Sequence, residues 1–395
     1  MKSSGTIVLA SSFPRYSGDY AGAFVERLSR CYLDAGPVTV VCPYDAAVDK
    51  DHDRRLPFKI KRFRHFRGPF YASGGPENLA RSRMAYPLGL GASAAMLAAL
   101  LKELPKAERI VAHWALPAGL LSALVTKIKP LPLQVIMHGG GLHELLKSNY
   151  GARLATCIIK RSGDIVAVSS VIKRDLLEAL PYEMTTEISD KVRVLPMGAD
   201  TADFRRQDGL PAAVLEDRHV LFLGRLELIK GLDILIDALA RLPYTVKLTV
   251  AGDGSQQRRL RDRAGRLGVH IEFLGQVSLP ERARLLKQAP LVVLPSRSLR
   301  NGRREGLPQV ALEAMAAGAC LIASDSGGLL DVIKNSENAL VFAEGDYKAL
   351  ADMINIALQN GGLRRKLGET ARQKVEKYDW KVIGPQIAGK FIEMG

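Results

Sequence analysis

The stretch HVLFLGRLELIKGLDILIDALARL, residues 219–242, decides the fold. Its opening HVLFLG is a short, β-branched and aromatic run bounded by glycine, which is the pattern of a buried strand. The closing DILIDALARL spaces its apolar residues at helical intervals, so the unit reads strand, loop, helix. The same alternation continues downstream through VKLTVAG, IEFLG, PLVVLPS and CLIASD. Upstream, TIVLA, VTVVCP, RIVAHW, LQVIMHG, IVAVSS and VRVLPMG alternate with segments such as AFVERLSRCYLDAG, where Gly36 is a stop. Strands alternating with helices make parallel sheets wound on both faces. A polar connector, TADFRRQDGLPAAVLEDR, follows LPMGAD and interrupts the series near residue 200. The simplest account is two consecutive doubly wound α/β halves. Ligands of such sheets bind beyond the carboxyl ends of the strands, so two facing sheets would line one deep cleft.

Bulk properties agree with this organisation. A chain of 395 residues, 47% of them hydrophobic, is long enough for two or three domains with their own cores. Mean hydropathy is near zero (+0.02), as in soluble globular proteins. The four cysteines, Cys31, Cys42, Cys157 and Cys320, are widely spaced and read as reduced thiols of a cytosolic protein. TIVLA is too short for a signal-peptide core. Tyr86–Leu101 is apolar but falls short of a membrane span and reads as a packed helix. A net charge of +15 and a pI near 9.7 favour anionic partners: nucleic acid, an acidic membrane surface or phosphorylated small molecules.

Two constellations carry chemistry. In Asn301–Gly328 a strand enters a loop bearing Glu305, and Pro308 then opens a helix that contains Glu313. Free backbone N–H groups near Leu307 to Gln309 suit a phosphate, because a helix N-terminus carries roughly half a positive charge. The flanking carboxylates suit sugar or ribose hydroxyls. In the opening stretch, Arg225 and Lys230 follow a strand and precede a helix. Two fixed cations there can neutralise a diphosphate leaving group.

Taken in order, GRLELIKG, LTVAGDGS, IEFLGQV, EGLPQVALEAMAAG and SDSGG resemble the donor domain of retaining GT-B glycosyltransferases. More narrowly, they are similar to the large bacterial family of mannosyl-, glucosyl- and N-acetylglucosaminyltransferases, its family four, and RIVAHWALPAG resembles its exopolysaccharide and lipopolysaccharide members. The resemblance implies a GT-B fold, with two Rossmann-like domains facing a central cleft. It implies an acceptor domain at 1–199, to which 378–395 returns as a helix, and a donor domain at 200–377. It assigns Arg225 and Lys230 to the donor diphosphate, Glu305 to the transferred hexose and Glu313 to the ribose hydroxyls. Leu307 and Pro308 would present backbone to the donor, with Gln309 and Val277 near ribose or base. His138, ending VIMHGGG, falls where the family has an active-site histidine. FPRYSGDYAGAFVERL matches the family's glycine-bearing loop, but without the adjacent glycine pair, so either Gly18 or Gly22 could be the one that matters. Met197 in LPMGAD stands where asparagine is more usual.

The expected reaction is retaining, metal-independent hexosyl transfer from a nucleotide-sugar, UDP-hexose being favoured over GDP-mannose. The acceptor would be a glycan or a lipid-diphosphate-linked glycan of the cell envelope. The nucleotide-sugar is a substrate, and no cofactor, metal or nucleic acid is expected. The basic, aromatic segment Arg54–Tyr71 could meet single-stranded nucleic acid or an anionic inner leaflet, or simply be a solvated loop; the presumed acceptor domain favours the membrane. The protein would then be cytoplasmic, peripheral on the inner face of the membrane. Asp51–Asp53 imitates a metal-binding acidic triplet but sits in a charged connector. AGDGSQQ starts like a dinucleotide fingerprint and has Gln257 where the last glycine belongs. Rival readings are a nucleotide-sugar epimerase or phosphorylase on the same fold, or a basic nucleic-acid-binding protein.

Overall fold

A computed structural model describes residues 5–65, 85–206 and 218–394, and the chain forms two compact units. The first comprises Met1–Met197 with Ile383–Gly395, and the second comprises Gly198–Val382.

The first unit holds seven strands: β1 (Gly5–Leu9), β2 (Val38–Pro43), β3 (Lys59–Phe63), β4 (Ala107–His113), β5 (Leu133–Met137), β6 (Asp164–Ala167) and β7 (Val192–Val194). They form one parallel sheet in the order β3-β2-β1-β4-β5-β6-β7, with Ile7 paired to Ile110 across its centre. The second unit holds β8 (His219–Leu223), β9 (Lys247–Ala251), β10 (Ile271–Gly275), β11 (Leu291–Leu294), β12 (Cys320–Ser324) and β13 (Leu340–Phe342), ordered β10-β9-β8-β11-β12-β13. The strand order of each sheet therefore reverses once, between β1 and β4 and between β8 and β11. At such a switch point the connections depart to opposite faces and leave a crevice at the strands' carboxyl ends.

Parallel strands buried on both faces alternate which core they feed. In the second unit Leu221, Leu223, Val292, Leu294, Leu321 and Ala323 pack on one side. Val220, Phe222, Leu291, Val293 and Ile322 pack on the other. Helix α1 (Ala23–Arg30) follows β1, α2 (Ala85–Glu103) lies against β2 and β3, and α3 (Gly139–Leu146) follows β5. In the second unit α4 (Leu232–Leu239) follows β8, α5 (Leu279–Gln288) follows β10, and α6 (Gln309–Ala316) follows the loop after β11. Helix α7 (Trp380–Glu393) starts in the second unit and ends in the first. There it is held by a polar network: Gln134 donates to the Ile387 carbonyl (2.9 Å), Arg193 donates to the Gln386 carbonyl (2.7 Å), and Arg193 pairs with buried Asp164 (2.6 Å).

Three details depart from the sequence expectations. Within Arg54–Tyr71, KIKRF is the edge strand β3 rather than a loop; charged side chains are a common way of protecting such an edge. Arg62 turns inward, 6% exposed, and donates to Asp53 (2.7 Å) and the Pro14 carbonyl (2.6 Å). Residues 66–71 of the segment lie outside the described residues. Asp51 and Asp53, assigned to a connector, sit on a short helix, Lys50–Arg55, capped by Asp49. The Tyr86–Leu101 segment belongs to a longer helix, and Leu88–Lys106, at 19 residues, is long and apolar enough to cross a membrane by length and composition. It buries one stripe at four-residue spacing, Ala92, Met96, Leu100 and Leu104, while Leu90 and Leu101 are exposed.

Candidate functional site

In the second unit the chemistry gathers at the switch point between β8 and β11. Arg225 and Lys230 lie in the loop leaving β8, and Glu305 lies in the loop leaving β11. Lys230 Nζ stands 2.9 Å from Glu305 Oε2, the side chains only 14% and 17% exposed. Burial alone would raise the pKa of Glu305, but Lys230, with Arg225 and Arg303 nearby, more than offsets this and holds it below the usual value. The residue is thus an ionised acceptor inside a cationic surround.

Packing of loop on loop fixes these side chains. Gly231 has φ +68°, a left-handed conformation, and a Cβ there would fall on the Pro295 carbonyl oxygen. The Lys230 turn can therefore lie directly against the end of β11, and Arg297 N–H donates to the Ile229 carbonyl (2.9 Å). SDSGG closes over the Glu305 loop: Gly328 N–H donates to the Gly306 carbonyl (2.7 Å), and Gly327 lies against the Glu305 carbonyl. AGDGS braces the other side, since Leu226 N–H donates to the Asp253 carbonyl (2.9 Å). Ser255 donates through N–H (3.2 Å) and hydroxyl (2.7 Å) to Glu227. Glu227 was not singled out in the sequence, although GRLE places it beside Arg225.

Helix α6 starts one residue later than expected, at Gln309. Pro308 is the extended residue before it (φ −65°, ψ 122°) and supplies no side-chain cap. The first-turn N–H groups of the helix thus lack a side-chain acceptor at the cap position. Pro308 is buried and Gln309 half-buried. Leu307 and Val277 are partly buried and pack on the same core cluster.

Glu313 lies in the body of α6, 7% exposed, and its carboxylate forms an ion pair with Arg282 of α5. Burial raises its pKa; Arg282 opposes the rise and Asp200 adds to it, so the net shift is upward. The two glutamates therefore behave oppositely, each with its own cation. Sequence reasoning missed Arg282. The only cue was its position in the helix immediately after Val277, and helical periodicity does not say which basic residue turns inward.

In the first unit, the corresponding switch point is lined by the loop after β1, the end of β4 and the residue after β5. Gly22 caps α1 at φ +75°, and a Cβ there would stand 2.5 Å from the Ser12 carbonyl oxygen. Gly18, at φ +85°, has nothing within 4 Å of its Cβ position, so the close approach belongs to Gly22. Asp19, another residue the sequence did not flag, ties the loop by accepting from Arg15 Nε (2.6 Å) and Ala21 N–H (3.1 Å). His138 caps α3, and the rings of Phe24 and Trp114 both have centroids 4.8 Å from its own. His138 Nε2 lies 3.2 Å from Nδ1 of fully buried His113. Burial pushes the pKa of His138 down to about 3. Burial, and secondarily His138, carry His113 well below its ordinary value. Both imidazoles are neutral. Gly141 of the HGGG run faces the Trp114 Cβ, where a Cβ of its own would come within 2.9 Å.

Among the described residues no three His, Cys, Asp or Glu side chains cluster as a metal site. Asp51 is paired with Arg54 (2.9 Å) and Asp53 with Arg62, so both carboxylates of that triplet have local cationic partners.

The family described as "Glycosyl transferases group 1" matches residues 205–374. A phosphatidyl-myo-inositol mannosyltransferase of Mycobacterium tuberculosis is 33% identical over 278 residues, covering 68% of this chain and 69% of that protein. An uncharacterized glycosyltransferase of Methanocaldococcus jannaschii is 29% identical over 278 residues, 69% of this chain and 72% of its own. Among solved structures, HepE of Anabaena in complex with UDP and glucose superposes with a TM-score of 0.76 at 19% identity, over 99% of this chain and all of that one.

Proposed function

We propose, from the premise that the chain belongs to the group 1 glycosyl transferase family and has its GT-B fold, that it moves a hexose from a nucleotide-sugar to a glycan or lipid-linked acceptor with retention of anomeric configuration. The observation that carries this reading is the Lys230–Glu305 pair beside Arg225 and the open N-terminus of α6, all at one switch point. As the bond from the anomeric carbon to the diphosphate lengthens, negative charge grows on the leaving group. Lys230, Arg225 and the first-turn N–H groups of α6 stabilise that charge without reorganising, each such group typically contributing about 10²–10³ in rate. Glu305 accepts from hydroxyls of the hexose, and Glu313 accepts from the ribose. The acceptor hydroxyl attacks from the face the leaving group vacates, and its proton passes to the departing phosphate oxygen. No side chain is then required as general base, and the charge neutralisation falls to the chain's own cations rather than to a metal.

UDP-hexose is the donor we favour, supported by the UDP and glucose bound in HepE. GDP-mannose is the second reading, favoured by the mannosyltransferases among the relatives. Their phosphatidyl-myo-inositol names also support a lipid-borne acceptor, used at the cytoplasmic face of the membrane in envelope glycan synthesis. The basic residues of 54–71 would meet anionic lipid there. Thermal-shift measurements with UDP, GDP and ADP, then with their sugars, test the donor: a ligand at 100 times its Kd adds about 2.7 kcal/mol. Transfer from the stabilising nucleotide-sugar, with the anomer of the product read by NMR, tests the reaction. Epimerisation of the donor without acceptor, or phosphate-dependent cleavage of a glycan, would overturn it.

A further inference from the structure

The buried pair His113–His138 has a proton inventory that settles which nitrogen of His138 carries hydrogen. A neutral imidazole has one N–H donor and one bare acceptor nitrogen, and the tautomer follows from its partners. Nδ1 of His113 and Nε2 of His138 share one hydrogen bond at 3.2 Å, so one ring must donate. His113 Nε2 is buried and has no hydrogen-bond partner among the described residues. If His138 were the donor, His113 would have to carry its proton on Nε2, leaving an orphaned N–H in the core. Buried orphan donors are rare and cost about 1–3 kcal/mol. If His113 donates instead, its Nε2 is an unpaired acceptor, which buried sites tolerate more often than an orphaned N–H.

We propose that His113 is a positioning residue that fixes His138 in the tautomer with hydrogen on Nδ1, so that His138 serves the site as a neutral hydrogen-bond donor. The flanking rings hold the geometry: the two imidazoles lie edge to edge and nearly coplanar, 15° apart with centroids 5.5 Å apart, as an in-plane N–H···N bond requires, and Phe24 and Trp114 pack against His138. Trp114 follows His113 directly and adopts φ +72°, rare for a bulky residue, which turns the chain sharply just after the histidine. A donor on Nδ1 suits an oxygen acceptor such as a hexose hydroxyl, and an Nδ1 already bearing its proton cannot take another as a base. The use made of that donor rests on the transferase reading; the tautomer does not.

The test is imidazole NMR on the full chain with ¹⁵N-labelled histidine, the pair being assigned by its loss in His138→Phe. A protonated Nδ1 and a bare Nε2 on His138 are expected, and the reverse pattern overturns the proposal whether or not the protein transfers sugar. In kinetics, His113→Leu should lower kcat/KM on the order of tenfold, the low end of what losing the partner that orients a metal-bound histidine costs. His113→Asn, whose amide can place an N–H near the former Nδ1, should recover most of that. Folded Leu and Asn variants of equal activity would overturn the positioning role. Should His113→Leu not fold, the wild-type spectrum still decides.

Discussion

Lys230 Nζ lies 2.9 Å from the Glu305 carboxylate, and the two come from loops 75 positions apart in the chain. Each side chain is largely shielded, so each is the other's main source of charge compensation. Removing either one alone leaves a shielded charge without its partner, which is more costly than losing an exposed pair. Lys230→Ala and Glu305→Ala should each lower kcat/KM by about 10²–10³. The double variant should fall short of the sum, by a coupling of about 0.5–3 kcal/mol in a double-mutant cycle. Strict additivity would mean the two act separately.

Arg282 and Glu313 make the second pair, and there the proton matters. Burial raises the pKa of Glu313, and Arg282 resists that rise. UDP affinity, measured by calorimetry, should weaken as pH falls through this raised value, before an ordinary glutamate would titrate. In Arg282→Met the loss should begin at higher pH, because the protonated carboxyl is then favoured more strongly. An unchanged pH profile would remove Glu313 from the ribose.

The two loop glycines should part company on mutation. Gly22→Ala meets both an unfavourable φ and the Ser12 carbonyl at 2.5 Å, whereas Gly18→Ala meets only the φ. A left-handed alanine costs about 1–2 kcal/mol, so Gly18→Ala should lose about that much in urea unfolding. Gly22→Ala should lose more, with activity falling further as the loop is displaced.

His138 makes stability depend on pH. Its folded pKa, about 3, lies below the model-peptide value of 6.5, so in that window the unfolded chain binds a proton that the folded chain does not. Stability is therefore present above 6.5 and is lost as pH falls towards 3, at about 1.4 kcal/mol per pH unit. Unfolding free energies at pH 7 and pH 5 should differ less in His138→Phe than in the wild type. The pH–rate profile should show no limb from this histidine near its ordinary value.

Much of the fold was legible because period and punctuation are local. HVLFLG, PLVVLPS and CLIASD name β8, β11 and β12, and glycines bound several of the loops that carry the site. Strands β3 and β13 were missed for opposite reasons. KIKRF is an edge strand whose charges mask its alternation, and Leu340–Phe342 is three residues long. Arg225, Lys230 and Glu305 were visible as candidates because each lies in a loop that follows a strand, and Glu313 because it lies in the helix that the Glu305 loop opens.

What the sequence determined by itself is therefore most of the chemical groups, Arg282, Asp19 and Glu227 excepted, and the end of the sheet to which each belongs. The tertiary structure decided the partners: Lys230 with Glu305, Arg282 with Glu313, His113 with His138, and Gly22 rather than Gly18 against Ser12. The reason is physical. Hydrophobic periodicity reports which face of an element is buried. Ion pairing and close backbone approach depend on distances of a few ångströms between loops far apart in the chain, and only the packed sheets set those distances.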